Sequence, residues 1–122
     1  MRSDIAHGRI NAIHLDDAAS MPGVVEVLTA ADLGVAPFQR FAELLPDLPR
    51  PPLAEGKVRF VGEPIAVVLA ETYEQGHDAA GAVWADIEPL TAYTDAEAAL
   101  AEDAVEIFDG HGSNQAYVIV DK

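Results

Sequence analysis

The stretch VRFVGEPIAVVLAE, residues 58–71, constrains the fold of this 122-residue chain more than any other. It holds two apolar runs rich in β-branched residues, which are typical of buried strands, and the triplet Gly62-Glu63-Pro64 separates them. A glycine followed two residues later by a proline interrupts both a helix and a continuous strand. The stretch therefore predicts two strands, Lys57–Val61 and Pro64–Glu71, that meet at a bend.

Glu63 in this bend admits two interpretations. Its apolar flanks could turn the carboxyl group into a general base. Alternatively, it is a turn residue, because Gly62 can adopt unusual backbone angles and Pro64 can begin a strand without an N–H group. The residues themselves favour the turn.

The charge of the chain is strongly acidic. It carries 21 acidic and 7 basic residues, a formal net charge of −14, and no Lys or Arg occurs between Phe60 and Asp121. Such a surface repels phosphate backbones and anionic lipids, so it disfavours binding to nucleic acid or to a membrane. The acidity fits either solubility or the docking of a basic partner.

Cysteine is absent from the sequence. This excludes disulfides, thiolate catalysis and ligation of an iron–sulfur cluster by this chain, and it fits a reducing compartment. The longest apolar run, Pro64–Ala70, is too short to cross a bilayer, and no signal-peptide pattern is present.

Periodicity and capping patterns predict short elements along the rest of the chain. Strands are expected at Gly8–Leu15, at Val24–Ala30 and over residues 84–90, with extended pieces at Val105–Phe108 and Ala116–Val120. The clearest helix follows Thr72, which forms a capping box with Gln75; helical turns are expected after Asp16 or Asp17, after Thr29, and after a second box of Thr94 and Glu97. The order predicts an α/β fold of the α+β type, a mixed sheet with packed helices.

The connection Gly34–Ala54 is unusual. It contains five prolines and lacks periodicity apart from a predicted helical turn at Arg40–Leu45, yet it is rich in apolar residues such as Phe38 and Phe41. A connection of this length inside a compact domain is either functional or shaped by a neighbour. We therefore expect it to pack against another surface.

The sequence contains no group of residues at the spacing typical of a catalytic or metal-binding site. The four histidines lack partners at the spacing of a metal site and are expected to be surface or capping residues. The three serines lack the glycines of a nucleophile elbow, and GHGSNQ lacks the lysine and helix of a phosphate-binding loop. We predict no catalytic, cofactor-binding or metal residue. The candidates for a turn or an interface are Gly62, Glu63, Pro64, Phe38 and Phe41.

Three segments in order, AHGRINAIHLDDAASMPGVVEVLTAADL, VRFVGEPIAVVLAET and DAAGAVWADIEPLTAYTDAEAAL, resemble the α/β hammerhead domain of the molybdenum hydroxylases. That family includes xanthine dehydrogenase, aldehyde oxidase and aerobic carbon monoxide dehydrogenase. The resemblance covers nearly all of Ser3–Leu100 and implies one hammerhead domain over residues 1–122, with 109–122 as an exit segment toward a following domain. Family members carry an extra strand before Ser3, which implies truncation at the N-terminus and an exposed edge that favours homo-oligomers.

The resemblance implies a structural or interaction domain of the large subunit, without catalysis of its own. The complete enzymes use molybdopterin or molybdopterin cytosine dinucleotide, [2Fe–2S] clusters and FAD, none of which this chain is expected to bind. The implied partners are the molybdopterin-binding domains of the same subunit and the FAD and iron–sulfur subunits or domains, in the cytoplasm. Two alternatives stay open: a stand-alone acidic module that binds a small ligand or partner through Phe38–Leu53, and a small enzyme that uses Glu63.

Overall fold

The computed structural model describes residues 1–38 and 48–120. The strands are β1 (Gly8–His14), β2 (Val24–Leu28), β3 (Lys57–Val58), β4 (Val67–Ala70) and β5 (Trp84–Pro89); the helices are α1 (Asp16–Ala19), α2 (Ala30–Leu33), α3 (Tyr73–Ala82) and α4 (Ala96–Ala99). An antiparallel sheet has the order β3–β1–β5, and β2 pairs with β4 in a second antiparallel sheet. The predicted class, sheets with packed helices, is confirmed.

The pairing of β1 with β5 follows from alternating side chains. Ile10 lies opposite Ile87 and Ile13 lies opposite Ala85, and all four pack against the core from one face of the sheet. The register shifts between Ile10 and Ala12, which leaves Asn11 as an extra residue in β1. The bulge keeps apolar residues facing inward on both sides of the shift.

Helix α3 forms where the capping box predicts it. The Thr72 hydroxyl accepts from the backbone N–H of Gln75 at 3.3 Å, and the Gln75 side chain accepts from the backbone N–H of Thr72 at 3.1 Å. The helix packs against α1 and β4 through Ala79, which is fully buried. The helical turn expected after Thr29 is also confirmed as α2, and the Asp32 carboxylate accepts from the backbone N–H of Thr29 at 2.8 Å.

Two apolar clusters form the core. The first, the alanine cluster, contains Ala18, Ala66, Ala79 and Val83 and lies between α1, α3 and the β2–β4 sheet. The second, the Ile65 cluster, contains Ala54, Val58 and Ile65 and lies against the three-stranded sheet. Ile65 and Ala66 are neighbours in sequence, so the chain that leaves the Gly-Glu-Pro bend contributes one residue to each cluster. The bend thereby connects the two halves of the fold.

Two predicted caps are wrong by one residue. The N-cap of α1 is Leu15, with no side-chain hydrogen bond, because the backbone turns one residue before Asp16. The acidic pair then lies in the first turn, where it still complements the helix dipole. Helix α4 is capped by Asp95, whose Oδ1 accepts from the N–H of Ala98 at 2.8 Å, so the predicted box of Thr94 and Glu97 does not form.

Two predicted strands are shorter than expected. The first ends at Val58, because the next N–H, that of Arg59, donates to the Glu63 carboxylate instead of to a neighbouring strand. The second begins at Val67, since Pro64 makes only an isolated bridge with Arg2. A side chain and a proline therefore set these limits.

Two further predicted extended pieces do not form strands. Within Val105–Phe108, the N–H of Val105 donates to the Tyr93 hydroxyl and that of Ile107 donates to Asn114 Oδ1, each at 2.8 Å. Ala116–Val120 pairs with no strand in the part of the chain that the structure describes. A β-prone sequence forms a strand only where another edge is available.

The prediction of a surface or capping role is wrong for His7, which is buried. Its Nδ1 lies 2.6 Å from the Thr91 carbonyl oxygen, and its own carbonyl accepts from the N–H of Leu90. These two contacts tie the residue before β1 to the residues after β5. Its Nε2 has no hydrogen-bond partner among residues 1–38 and 48–120.

Candidate functional site

The Gly-Glu-Pro triplet forms a tight turn. Gly62 has φ of 88°, a conformation that side-chain-bearing residues rarely adopt, and the N–H of Glu63 donates to the Phe60 carbonyl at 3.2 Å. Among residues 1–38 and 48–120, no atom beyond the chain neighbours would lie within 4 Å of a Cβ at Gly62. The backbone angle, and not crowding, is therefore the reason for glycine at this position.

Glu63 is buried in this turn, with 7% of its surface exposed. Its Oε2 accepts a short hydrogen bond from the backbone N–H of Arg59, which closes a loop of five residues. A hydrogen bond to an ionised carboxylate is stronger than one between neutral groups. The side chain thus holds the loop between β3 and Pro64 in shape.

The backbone of the turn is tied to the N-terminal residues. The N–H of Ser3 donates to the Glu63 carbonyl at 2.9 Å, and the N–H of Gly62 donates to the Ser3 carbonyl at 2.7 Å. The Arg2 guanidinium donates to the Gly62 carbonyl at 2.7 Å. Pro64 follows with its carbonyl accepting from the N–H of Ala54 at 2.7 Å. The triplet therefore lies between the N-terminal segment and the end of the proline-rich connection.

An apolar cleft of about 560 Å³ opens beside Glu63. The prolines and aromatic rings of three segments form most of its walls: the described ends of the proline-rich connection, the loop after β3, and residues 107–117. The lining residues are Phe38, Leu48, Pro49, Arg50, Pro51, Pro52, Arg59, Phe60, Glu63, Pro64, Ile107, Phe108 and Tyr117. This volume lies within the range of roughly 300–1,000 Å³ that small-molecule sites have.

Four of the five interface candidates can be placed in the structure. Phe38, Glu63 and Pro64 line the cleft, and Gly62 is adjacent to it in sequence. Phe38 is 66% exposed, and its N–H donates to the Arg50 carbonyl at 2.9 Å, which brings the two described ends of the connection together. Phe41 and the predicted helical turn at Arg40–Leu45 lie outside the residues that the structure describes.

Charged residues that sequence reasoning missed surround one wall of the cleft. The Arg59 guanidinium lies 4.6 Å from the centre of the Phe108 ring, and its Nη1 donates to the Lys57 carbonyl at 3.2 Å. The Lys57 Nζ donates to Asp109 Oδ1 at 2.5 Å. This hydrogen bond holds the pKa of Asp109 below its ordinary value, although burial opposes the shift. The one sequence signal was the position of Lys57 and Arg59, the last cations before Lys122.

The residues do not fit a metal or cluster site. Within residues 1–38 and 48–120 no group of three His, Cys, Asp or Glu side chains is placed to hold a metal ion. The whole sequence lacks the cysteine that an iron–sulfur cluster requires. No helix in the described ranges is long and apolar enough to cross a membrane. The mostly apolar lining of the cleft suits contact with an apolar surface or a small molecule.

Comparisons with known proteins agree with this fold. Residues 1–91 match the family described as "Aldehyde oxidase and xanthine dehydrogenase, a/b hammerhead domain". The carbon monoxide dehydrogenase large chain of Hydrogenophaga pseudoflava is 39% identical over 104 residues, which cover 85% of this chain and 13% of that protein. The xanthine dehydrogenase molybdenum-binding subunit of Escherichia coli O157:H7 is 35% identical over 116 residues, which cover 90% of this chain and 15% of that protein.

A solved structure gives the same result. The aldehyde oxidoreductase of Desulfovibrio desulfuricans superposes with a TM-score of 0.79 at 32% sequence identity, over 95% of this chain and 13% of that one. This chain thus spans about an eighth to a sixth of the length of the relatives that it matches. The chain belongs to the α/β hammerhead domain family of the aldehyde oxidases and xanthine dehydrogenases.

Proposed function

We propose that this chain is a structural and docking domain of a molybdenum hydroxylase large subunit, with no active centre of its own. The observation that carries the proposal is the family match over residues 1–91, taken with relatives that are about six to eight times longer. These relatives include large chains and a molybdenum-binding subunit. The chemistry would then belong to the parts of the relatives that this chain does not match.

The cofactors belong to the other parts of the enzyme in this proposal. Molybdopterin or its cytosine dinucleotide would be bound by the molybdopterin-binding domains, and FAD and [2Fe–2S] clusters by the neighbouring subunits or domains. The missing cysteines and the absence of a three-donor group among the described residues support this division.

The docking surface that we propose is the cleft beside Glu63. Phe38, Phe60 and Phe108 present apolar area there, while the buried Glu63 holds the loop that carries Phe60 in shape. Apolar area with a few buried polar groups is typical of the centre of a protein interface. We further propose that residues 1–122 form a single domain and that residues 109–122 are its exit segment. We also propose that the protein is cytoplasmic, and cell fractionation with immunodetection would check this location.

A chimera tests the proposed structural and docking role of this chain. The hammerhead segment of the carbon monoxide dehydrogenase large chain of Hydrogenophaga pseudoflava would be replaced with this chain, and the molybdenum content of the purified large chain measured. We expect retained molybdenum and retained assembly, and loss of both when the segment is deleted. A chimera that folds but carries no more molybdenum than the deletion would contradict the proposal.

The isolated chain supplies the complementary measurement. We expect neither bound molybdenum nor dye reduction with aldehyde or purine substrates, because residues 1–38 and 48–120 contain no donor set for a metal ion. Turnover by the isolated chain that Glu63→Gln abolishes would instead support the small-enzyme alternative.

The volume of the cleft favours a second function, a stand-alone module that binds a small ligand or partner. A ligand that binds only the native state raises the melting temperature, and the rise grows with the logarithm of the ligand concentration divided by its Kd. A thermal-shift screen with Phe60→Ala as the matched variant would test it. A saturable shift in the parent that Phe60→Ala removes would favour this alternative over the docking role.

Homo-oligomerisation through an exposed sheet edge stays a prediction. The N-terminal residues pair with the Gly-Glu-Pro turn, while β3 and β5 are the outer strands of the three-stranded sheet among the described residues. Outer strands offer unpaired backbone groups to a second chain. Sedimentation equilibrium over a range of protein concentrations would detect a dimer.

A further inference from the structure

One wall of the cleft is formed by residues 105–110, named here the strap, which pair with no strand among residues 1–38 and 48–120. Ile107 and Phe108 of the strap line the cleft together with the described part of the proline-rich connection. The N–H of Val105 donates to the Tyr93 hydroxyl, and the N–H of Ile107 donates to Asn114 Oδ1. The contacts of the following residues, up to Gly110, are therefore the ones that decide whether the wall stays in place.

Lys57 is the principal anchor of the strap. Its side chain is only 6% exposed, whereas that of Asp109 is 75% exposed. The ammonium group donates to Asp109 Oδ1 at 2.5 Å and to the Glu106 carbonyl at 3.2 Å, so both of its hydrogen-bond acceptors among the described residues belong to the strap. A buried ammonium group without such acceptors is strongly disfavoured.

The Arg59 guanidinium forms a second contact with the strap. It lies 4.6 Å from the centre of the Phe108 ring, at a distance typical of a cation–π interaction. Arg59 and Lys57 lie two residues apart, and the N–H of Arg59 is held by Glu63. Two cations at the end of β3 thus hold the aromatic wall of the cleft.

We propose that the Lys57–Asp109 pair is an electrostatic latch that holds the strap in place as one wall of the cleft, beside Phe60 and Pro64. Lys57 keeps both of its acceptors only while the strap stays in this position, so the buried charge itself favours the position. Loss of the pair releases the strap and removes this wall of the cleft. The latch depends only on residues of this chain, whatever larger protein the chain serves.

Hydrogen exchange on the full chain tests the latch through the amides of Ile107 and Gly110, both of which donate to side chains of residues 105–115. In Asp109→Asn we expect these amides to exchange roughly tenfold faster, since hydrogen bonds to charged groups contribute more than neutral ones. Asp103→Asn, an exposed acidic position in the preceding turn, is the matched control and should leave the rates unchanged. Amides of β1 and α3 should keep their protection in every variant.

Lys57→Met and the double variant Lys57→Met/Asp109→Asn test whether the Lys57–Asp109 pair itself holds the strap. Methionine keeps an apolar side chain of similar length without a buried charge, so Lys57→Met should speed exchange of the strap while the core stays folded. Because both substitutions break one pair, the double variant should exchange no faster than the faster single variant. Additive effects of the two substitutions would overturn the proposal.

A hydrophobic dye gives a further measurement. Binding of anilinonaphthalene sulfonate should rise in Asp109→Asn and not in Asp103→Asn. Equal exchange and equal dye binding in these two variants would refute the latch.

Discussion

The two apolar clusters of this domain are stabilised in different ways. The alanine cluster brings α1, α3 and the β2–β4 sheet together through small side chains, and its members are Ala18, Ala66, Ala79 and Val83. The Ile65 cluster lies near the cleft, and buried polar residues occur in the same half of the molecule: Ser3, His7, Lys57 and Glu63. Close packing of small side chains thus stabilises one half, and hydrogen bonds to buried polar groups stabilise the other.

This difference predicts that the two halves of the domain are sensitive to different kinds of substitution. A cluster of small residues leaves no room for added volume, because protein interiors are close-packed. Buried polar groups instead make their half sensitive to the loss of a single donor or acceptor.

Ile65→Ala should have the largest effect. The side chain is fully buried, and removing it leaves a cavity in the Ile65 cluster, so we expect the free energy of unfolding to fall by about 2–5 kcal/mol. Urea denaturation followed by circular dichroism measures the change. Val61→Ala, at a position that is 63% exposed, is the matched control. A loss as small as that of the control would show that Ile65 does not support the core.

Ala79→Leu tests the other cluster by adding volume. The residue is fully buried where α3 meets α1, so a larger side chain must displace the helix or adopt a strained rotamer. We expect a loss of about 1–3 kcal/mol, measured in the same way. Ala101→Leu, at an exposed position, should change stability little. A stabilised Ala79→Leu variant would contradict close packing in this half.

Glu63→Ala tests the polar half. It leaves the half-buried N–H of Arg59 without its acceptor, so we expect the free energy of unfolding to fall by about 1–3 kcal/mol. Glu63→Gln keeps an acceptor oxygen and should lose less. Glu71→Ala, an exposed carboxylate on the same stretch, is the control. If Glu63→Ala matches that control in stability, the buried carboxylate has no structural role.

The smallest effect concerns Asp109 and pH. The hydrogen bond from Lys57 lowers the pKa of Asp109 below its ordinary value of 3.8. Because the carboxyl pKa is lowered, the pair stabilises the folded state fully above pH 3.8. This stabilisation is lost as the pH falls from 3.8 through the lowered pKa. In Lys57→Met, the Asp109 midpoint measured by NMR titration should rise toward 3.8. Equal midpoints in the parent and the variant would show that the pair is not formed in solution.

Some elements were predictable from nearby residues alone. Helix α3 follows from Thr72 and Gln75, which lie three residues apart and satisfy each other's backbone donors. Strands β1 and β5 follow from their alternation, since Ile10 and Ile87 occupy inward positions. Local patterns suffice in these cases because all the interacting groups lie within one turn or one strand.

The caps of α1 and α4 show the limit of local patterns. Adjacent residues with similar side chains, such as Thr94 and Asp95, compete for one cap, and the backbone decides between them. The strap and the shortened β3 are harder to predict, because they depend on contacts between residues that are farther apart along the chain. The partner of Lys57 lies 52 residues away, and no periodicity marks a contact between such distant positions.

The residues alone predict the class of fold, the bend at Gly62-Glu63-Pro64, the helix after Thr72 and, through three ordered motifs, the family. These properties depend on backbone preferences and on side chains that are close together along the chain. The folded structure adds that Glu63 is buried and bonded to Arg59, that Lys57 binds Asp109, and that Ala116–Val120 finds no partner strand in the described part. Those outcomes depend on which distant groups meet once the chain has folded, and burial then decides how strongly each charged group needs its partner.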